Sequence, residues 1–129
     1  MSTPILTVVD DLLFLAKIQQ TAQQVGIRVE VIDPAMVEER VKNSGVNSII
    51  LDLNHRSASA VEVARSIKAN PDTRHVQLVA FLSHVQTDLA AAARAAGCDV
   101  ILPRSAFSQQ LPQLLLKLGG GQHSPTAQT

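Results

Sequence analysis

The chain lacks several features that would place it in other classes of protein. Its 129 residues include no Trp or Tyr, and the single cysteine, Cys98, excludes an internal disulfide. Basic and acidic side chains number 11 each, so the net charge of zero offers no field to attract nucleic acid or an anionic membrane. No apolar run approaches the roughly 20 residues of a membrane span, and the N-terminus has no signal-peptide pattern. We expect a soluble, cytoplasmic protein.

The length of 129 residues is enough for one domain and too short for two, and a hydrophobic fraction of 46% is typical of a folded protein. Strand-like and helical patterns alternate five times, with predicted strands at 5–9, 28–32, 48–51, 76–82 and 100–102 and predicted helices at 12–25, 35–42, 58–69, 88–96 and 108–118. This alternation predicts a doubly wound α/β fold, a five-stranded parallel sheet of flavodoxin-like order 2-1-3-4-5 flanked by five helices. We predict that residues 1–118 form the domain and that residues 119–129 form a flexible tail.

The pattern also makes predictions about packing. Both faces of the central strands should be covered, which predicts burial of Val8, Val9, Ile50, Leu51, Val79, Phe81 and Ile101. Pro112 is expected in or just after the first turn of the last helix, where the missing N–H has little or no helical partner. The first helix opens with Leu12, Leu13 and Phe14, and the helical period requires some of these side chains to face outward.

Three carboxylates follow two of the predicted strands. Asp10 and Asp11 come directly after the first strand, and Asp52 comes directly after the third. If these strands are parallel neighbours, the acids meet at the edge of the sheet where open α/β folds bind ligands. Clustered carboxylates repel one another and attract hard divalent cations, so the sequence predicts a small acidic metal site. The alternative is that these aspartates only cap the adjacent helix or turn.

Polar residues also follow the last two strands. Ser83 ends the fourth strand, although it could instead cap the next helix, and Arg104 follows the fifth strand after the turn Gly97-Cys98-Asp99. Together with the acidic pair and Asp52, this arrangement resembles the receiver domain of bacterial two-component response regulators. The resemblance extends from Ile5 to about residue 118.

The resemblance implies a phosphorelay signalling domain rather than an enzyme. Asp52 would accept a phosphoryl group from a sensor histidine kinase or phosphotransfer protein, and Ser83 and Arg104 would contact that group. The implied cofactor is Mg²⁺, held by Asp10, Asp11, Asp52 and the backbone carbonyl of Asn54. A downstream output protein, or a second copy of the chain, would bind the face formed by the fourth helix, fifth strand and fifth helix. No helix-turn-helix or basic patch indicates nucleic-acid binding by this chain.

The chain departs from the receiver pattern in the half that senses phosphate. Arg104 replaces a lysine, His84 replaces a very small residue and Ile101 replaces an aromatic residue. Arg104 would either bind the phosphoryl group or pair with Asp10 or Asp52 in an unphosphorylated site. The departures therefore leave an alternative function open, a protein-interaction module with the receiver fold that works without phosphorylation.

Overall fold

A computed structural model describes residues 3–56, 59–83 and 86–120; His84 and most of the predicted tail lie outside these ranges. The strands are β1 (Ile5–Val8), β2 (Val29–Val31), β3 (Ser48–Asp52), β4 (Gln77–Leu82) and β5 (Val100–Pro103). The helices are α1 (Leu12–Val25), α2 (Val37–Ser44), α3 (Ala60–Ala69), α4 (Thr87–Ala96) and α5 (Arg104–Gly120), with a 3₁₀ turn at Pro34–Met36 before α2. None of the helices in the described ranges is long and apolar enough to cross a membrane.

The five strands form one sheet in the order β2-β1-β3-β4-β5, and every pair is parallel. This arrangement confirms the predicted fold class. Val8 of β1 lies opposite Leu51 of β3, so the two strands end at the same edge of the sheet. Asp52, the last residue of β3, and the pair Asp10 and Asp11, which come shortly after β1, are thereby brought to that edge, as the sequence predicted.

Alternation along the strands divides the core between the two faces of the sheet. Ile49 and Leu51 of β3 pack among residues of α2, α3 and α4, whereas Ile50 packs among residues of α1 and α5. Helices therefore cover both faces, as expected for a parallel sheet. Burial is confirmed for the central-strand residues Val8, Val9, Ile50, Leu51, Val79 and Phe81.

The predicted burial of Ile101 is wrong, because this side chain is only partly buried. Ile101 lies on β5, which is an edge strand with β4 as its single neighbour, and all four β5 residues are partly exposed. The covering helix α4 packs through small side chains, of which Ala93 and Ala96 are buried. An edge strand under an alanine-rich helix is less completely covered than the central strands.

The last helix differs from its prediction at both ends. It begins at Arg104 rather than at residue 108, and it continues through Gly119 and Gly120, which had been assigned to the tail. Pro112 consequently lies in the helix interior and not near the first turn. It cannot donate to the carbonyl of Ser108, a defect that costs about 3 kcal/mol in a helix. Fully buried Phe107, Leu111 and Leu115 hold the helix against the sheet despite this defect.

Candidate functional site

A cleft of about 530 Å³ opens at the carboxyl edge of the sheet. It is lined by Asp10, Asp11, Leu12, Leu13, Asp52, Asn54, Arg56, Ser83 and Arg104. All six residues singled out from the sequence as site residues therefore meet in one place. Of the first three residues of α1, Leu12 and Leu13 are 77% and 86% exposed, whereas Phe14 is buried in the core between the sheet, α1 and α5.

Asp52 lies deepest among the three acids. It is the last residue of β3 and is only 1% exposed, and its Oδ1 accepts a hydrogen bond from the backbone N–H of Asn54 at 2.9 Å. Burial raises the pKa of Asp52, and the nearby charge of Asp10 acts in the same direction, whereas the Asn54 hydrogen bond and the charge of Arg104 oppose the rise. Desolvation prevails because a buried carboxylate loses most of its hydration.

Asp11 has two roles, one for each carboxylate oxygen. Oδ1 caps α1 by accepting from the backbone N–H groups of Leu13 and Phe14, both at 3.1 Å. Oδ2 accepts from Nη1 of Arg104 at 2.9 Å. The Arg104 hydrogen bond is the main reason that the pKa of Asp11 is lowered, and the cap bond from Phe14 contributes next. Asp11 thus caps α1 as the alternative expected, but capping is not its sole contact, and the arginine pairs with Asp11 rather than with the predicted Asp10 or Asp52.

Asp10 is held by a residue that sequence reasoning did not single out. Its Oδ2 accepts from both the backbone N–H and the Nε of Arg56, at 3.1 and 3.3 Å, and Nδ1 of His55 lies 4.0 Å from the same oxygen. Burial alone would raise the pKa of Asp10, but the two Arg56 hydrogen bonds outweigh it and lower the pKa. Arg56 follows Asp52 by four residues, and only the tertiary fold shows that it reaches the segment between β1 and α1.

Aromatic rings surround the guanidinium of Arg104. Its Cζ lies 4.7 Å from the ring centroid of Phe14 and 5.6 Å from that of Phe81, and the ring of Phe107 packs against both at a tilt. The Nε atom is buried and has no hydrogen-bond partner among the described residues. A planar guanidinium can lie over ring faces while it binds a carboxylate, which a lysine ammonium cannot do equally well. These contacts explain structurally how an arginine fits where receivers carry lysine.

Asn54 joins two loops across the cleft. Its side-chain Oδ1 accepts from the backbone N–H of Ser83 at 2.7 Å, and its Nδ2 donates to Oε1 of Gln86 at 3.0 Å. Ser83 does not cap α4, because Gln86 occupies the N-cap position. The sequence indicated only the backbone carbonyl of Asn54, and no local pattern could have revealed side-chain bonds to residues about 30 positions away.

The donor set can be tested against the implied cation. Within the described ranges, no group of three or more His, Cys, Asp or Glu side chains has the geometry to hold a metal ion. Asp10 and Asp11 instead bind Arg56 and Arg104. The acids nevertheless line one cleft, and carboxylate and carbonyl oxygens are the ligands that Mg²⁺ prefers. The residues therefore fit a divalent cation in chemical type, and such a cation would compete with two guanidinium groups.

Comparison with solved structures identifies the fold. A response regulator receiver domain from Rhodospirillum rubrum matches with a TM-score of 0.78 and 17% identity, over 98% of this chain and 100% of that one. The phosphorylated cyanobacterial phytochrome response regulator RcpA matches with a TM-score of 0.76 and 18% identity, over 98% of this chain and 100% of that one. The Mn²⁺-bound response regulator Rcp1 matches with a TM-score of 0.73 and 20% identity, over 97% of this chain and 98% of that one. The chain adopts the receiver fold. No protein-family model and no curated protein matches it.

Proposed function

We propose that this chain is a receiver domain that accepts a phosphoryl group on Asp52 in two-component signalling. The observation that supports this most directly is the shared cleft, in which Asp52 lies beside Ser83, Arg104 and the acidic pair at the carboxyl edge of a receiver-fold sheet. Each of these residues has a part in phosphoryl transfer, a reaction that depends mainly on positioning and electrostatic stabilisation.

The covalent step takes place on the side chain of Asp52. A carboxylate oxygen attacks phosphorus, the bond from phosphorus to the leaving group of the donor breaks, and an acyl phosphate forms. The leaving group departs with the bonding electron pair. When the donor is a phosphohistidine, the leaving atom is an imidazole nitrogen. Oδ1 already accepts from Asn54, so that bond must weaken or the other oxygen must attack.

Positive charge is needed around the transferred group. A divalent cation bound by Asp10, Asp11, Asp52 and the Asn54 carbonyl would neutralise charge on the equatorial phosphoryl oxygens. From the chain itself, Arg104 would contribute a guanidinium that can bind two phosphoryl oxygens at once, and Ser83 would donate its hydroxyl. Arg104 must first release Asp11 before it can bind the phosphoryl group. This change of partner takes place within the one cleft that both residues line.

The proposed role implies partners and a location. A sensor histidine kinase or a phosphotransfer protein would supply the phosphoryl group, and a downstream output protein would read the phosphorylated state. The expected surface for the output protein is the face made by α4, β5 and α5. Both steps belong in the cytoplasm, where such kinases present their phosphohistidine.

Intact-protein mass after incubation with acetyl phosphate and Mg²⁺ tests the proposal. We expect wild type to gain the mass of one phosphoryl group and Asp52→Asn to gain none. Asp72→Asn is the matched control, because Asp72 is exposed and lies outside the cleft, and it should be phosphorylated like wild type. A wild-type protein that stays unmodified, or an Asp52→Asn variant that is modified equally, would contradict the proposal.

A second candidate function is binding of a protein partner without phosphorylation. The Arg104–Asp11 ion pair favours it, because the guanidinium already neutralises one of the carboxylates that would otherwise bind a metal ion. The partly exposed Ile101 favours it as well, because no aromatic side chain is present there to swing inward. In this case the α4–β5–α5 face has its binding conformation in the unmodified protein. Beryllofluoride, a phosphoryl mimic, would then leave NMR shifts over most of that face unchanged.

A further inference from the structure

We propose that Asn54 and Gln86 form a coupling pair that transmits the state of Asp52 to the pocket between α4 and β5. The physical coupling can be tested in the unmodified protein, whereas its use in signalling rests on the proposed function. Gln86 acts here as a positioning residue, since it touches neither Asp52 nor the incoming group. Nothing in the receiver-like sequence pattern pointed to Gln86.

The first half of the connection is the turn that follows β3. The backbone N–H of Asn54 donates to Asp52 Oδ1 at 2.9 Å, so the position of Asn54 depends directly on the Asp52 carboxylate. The Asn54 side chain makes two hydrogen bonds across the cleft. Its Oδ1 accepts from the backbone N–H of Ser83, and its Nδ2 donates to Oε1 of Gln86. A change at Asp52 therefore displaces three linked hydrogen bonds.

The second half of the connection is the start of α4. Gln86 is the N-cap residue of this helix, yet its side chain makes no cap hydrogen bond and reaches Asn54 instead. The Gln86 carbonyl accepts from the N–H of Ala90 in the first turn. Gln86 also lines a cavity of about 100 Å³ together with Ala90, Arg94 and Ile101. Gln86 thus contacts Asn54 on one side and the α4–β5 pocket on the other.

Two states follow from these contacts. When Asp52 Oδ1 is available, Asn54 is fixed and holds Gln86 away from the α4 terminus. When Asp52 is modified or removed, the Asn54 N–H loses its acceptor and the turn relaxes, which frees the Gln86 side chain. The unsatisfied N–H groups of the first helical turn, or the α4–β5 pocket, then offer it new contacts. The pair thereby provides a route from the acid to Ile101 that requires no aromatic side chain.

Backbone-amide NMR on the full chain tests the coupling. Asp52→Ala removes the acceptor of the Asn54 N–H, and we expect shift changes at Ala90 and Ile101. In a Gln86→Met background, which keeps the length of the side chain but removes the acceptor for Asn54 Nδ2, the same Asp52→Ala change should shift these amides severalfold less. A Gln86→Glu background keeps an acceptor oxygen and should restore the response. Gln20→Ala, at an exposed position on α1, is the matched control and should respond like wild type.

The outcomes separate the coupling from the proposed function. Equal Ala90 and Ile101 responses in the wild-type and Gln86→Met backgrounds would overturn the coupling pair, as would the absence of any response in wild type. Beryllofluoride with Mg²⁺ provides a second arm. If it leaves the amides around Asp52 unchanged, the proposed phosphoryl acceptance fails, while the Asp52→Ala comparison still decides whether Asn54 and Gln86 are coupled. If it binds, Gln86→Met should keep the shifts near Asp52 and lose those at Ala90 and Ile101.

Discussion

Arg104 Nη1 lies 2.9 Å from Asp11 Oδ2, so the residue at the lysine position of the receiver pattern binds one of the acids expected to hold a cation. The same Asp11 side chain caps α1 through its other oxygen. The contact therefore links the C-terminal end of β5 to the start of α1. It also makes the arginine and a divalent cation competitors for one carboxylate.

This competition predicts the effect of Arg104→Met on cation affinity. Removal of the guanidinium frees Asp11 Oδ2 and removes a positive charge from the cleft, so we expect the variant to bind Mg²⁺ severalfold more tightly than wild type. Calorimetric titration at fixed ionic strength measures this. Asp11→Ala is the paired variant and should bind more weakly than wild type. Equal affinity in all three proteins would show that Asp11 is not a ligand.

Gly97, which ends α4, predicts a position-specific cost of adding one methyl group. Its φ is +106°, and a Cβ there would lie 2.6 Å from Cγ of Lys68. Lys68 cannot easily move, since its Nζ binds the carbonyl of Val76 at 2.6 Å and Asp99 at 3.2 Å. We expect Gly97→Ala to lower the free energy of unfolding by about 2–3 kcal/mol, from strain together with the clash.

Gly45→Ala is the matched control for Gly97→Ala. Its φ is +69° and nothing lies within 4 Å of the added Cβ, so only the backbone term of about 1 kcal/mol applies. Urea denaturation of both variants gives the comparison. Equal losses would show that Lys68 yields to the new methyl group at little cost.

The parts of this molecule that sequence predicted well depend on local patterns. The bounds of α1 were predicted correctly because Asp11 caps it and Gly26 ends it with φ +76°, both of which are local signals. The position of Asp52 follows from the apolar run of β3, and the parallel order brings it to the acidic pair. The sequence could therefore predict that Asp10, Asp11 and Asp52 converge at one edge of the sheet, although it did not reveal Arg56.

The internal connections of the site could not be predicted in this way. Arg104 and Asp11 are 93 positions apart, and Asn54 and Gln86 are 32 apart, so no periodicity relates them. Which carboxylate attracts Arg104 depends on how α5 begins, and the sequence placed that start four residues too late. The predicted burial of Ile101 was wrong although the predicted order 2-1-3-4-5 already placed its strand at the edge of the sheet, because the rule that both faces are covered holds for central strands and not for an edge strand.

The interior proline of α5 predicts a stabilising substitution. Pro112→Ala restores a donor for the Ser108 carbonyl and removes the ring from the helix interior, a gain of about 3 kcal/mol in helix propensity. The greater freedom of alanine in the unfolded chain offsets about 1 kcal/mol. We expect a net increase of about 2 kcal/mol in the free energy of unfolding. Gln113→Ala, at the next position, which is exposed, should change the free energy of unfolding by at most about 0.5 kcal/mol. A Pro112→Ala variant no more stable than wild type would mean that packing of the ring outweighs the lost hydrogen bond.

The burial of the Asp52 carboxyl group predicts how the free energy of unfolding depends on pH. Burial raises the pKa of Asp52 above its ordinary value of 3.8, so between 3.8 and the raised pKa the folded state holds a proton that the unfolded state has lost. The free energy of unfolding must therefore fall as the pH rises through that window. Asp52→Asn removes this penalty, because its side-chain oxygen can still accept from the Asn54 N–H. We expect the variant to be more stable than wild type at pH 7, with the advantage disappearing below pH 3.8.

Asp10→Asn should show the opposite sign in the same experiment. Hydrogen bonds from Arg56 outweigh burial and hold the pKa of Asp10 below 3.8, so its carboxylate stabilises the fold above that value and loses this contribution as the pH falls through the lowered pKa. Asp10→Asn should be less stable than wild type at pH 7 and equal to it in strong acid. Urea unfolding from pH 2.5 to 7.5 with EDTA present provides both curves, since a bound cation would stabilise ionised Asp52 and hide the difference. A constant offset between Asp52→Asn and wild type over this range would mean that Asp52 titrates equally in the folded and unfolded states, and the desolvation argument for the acceptor would then be wrong.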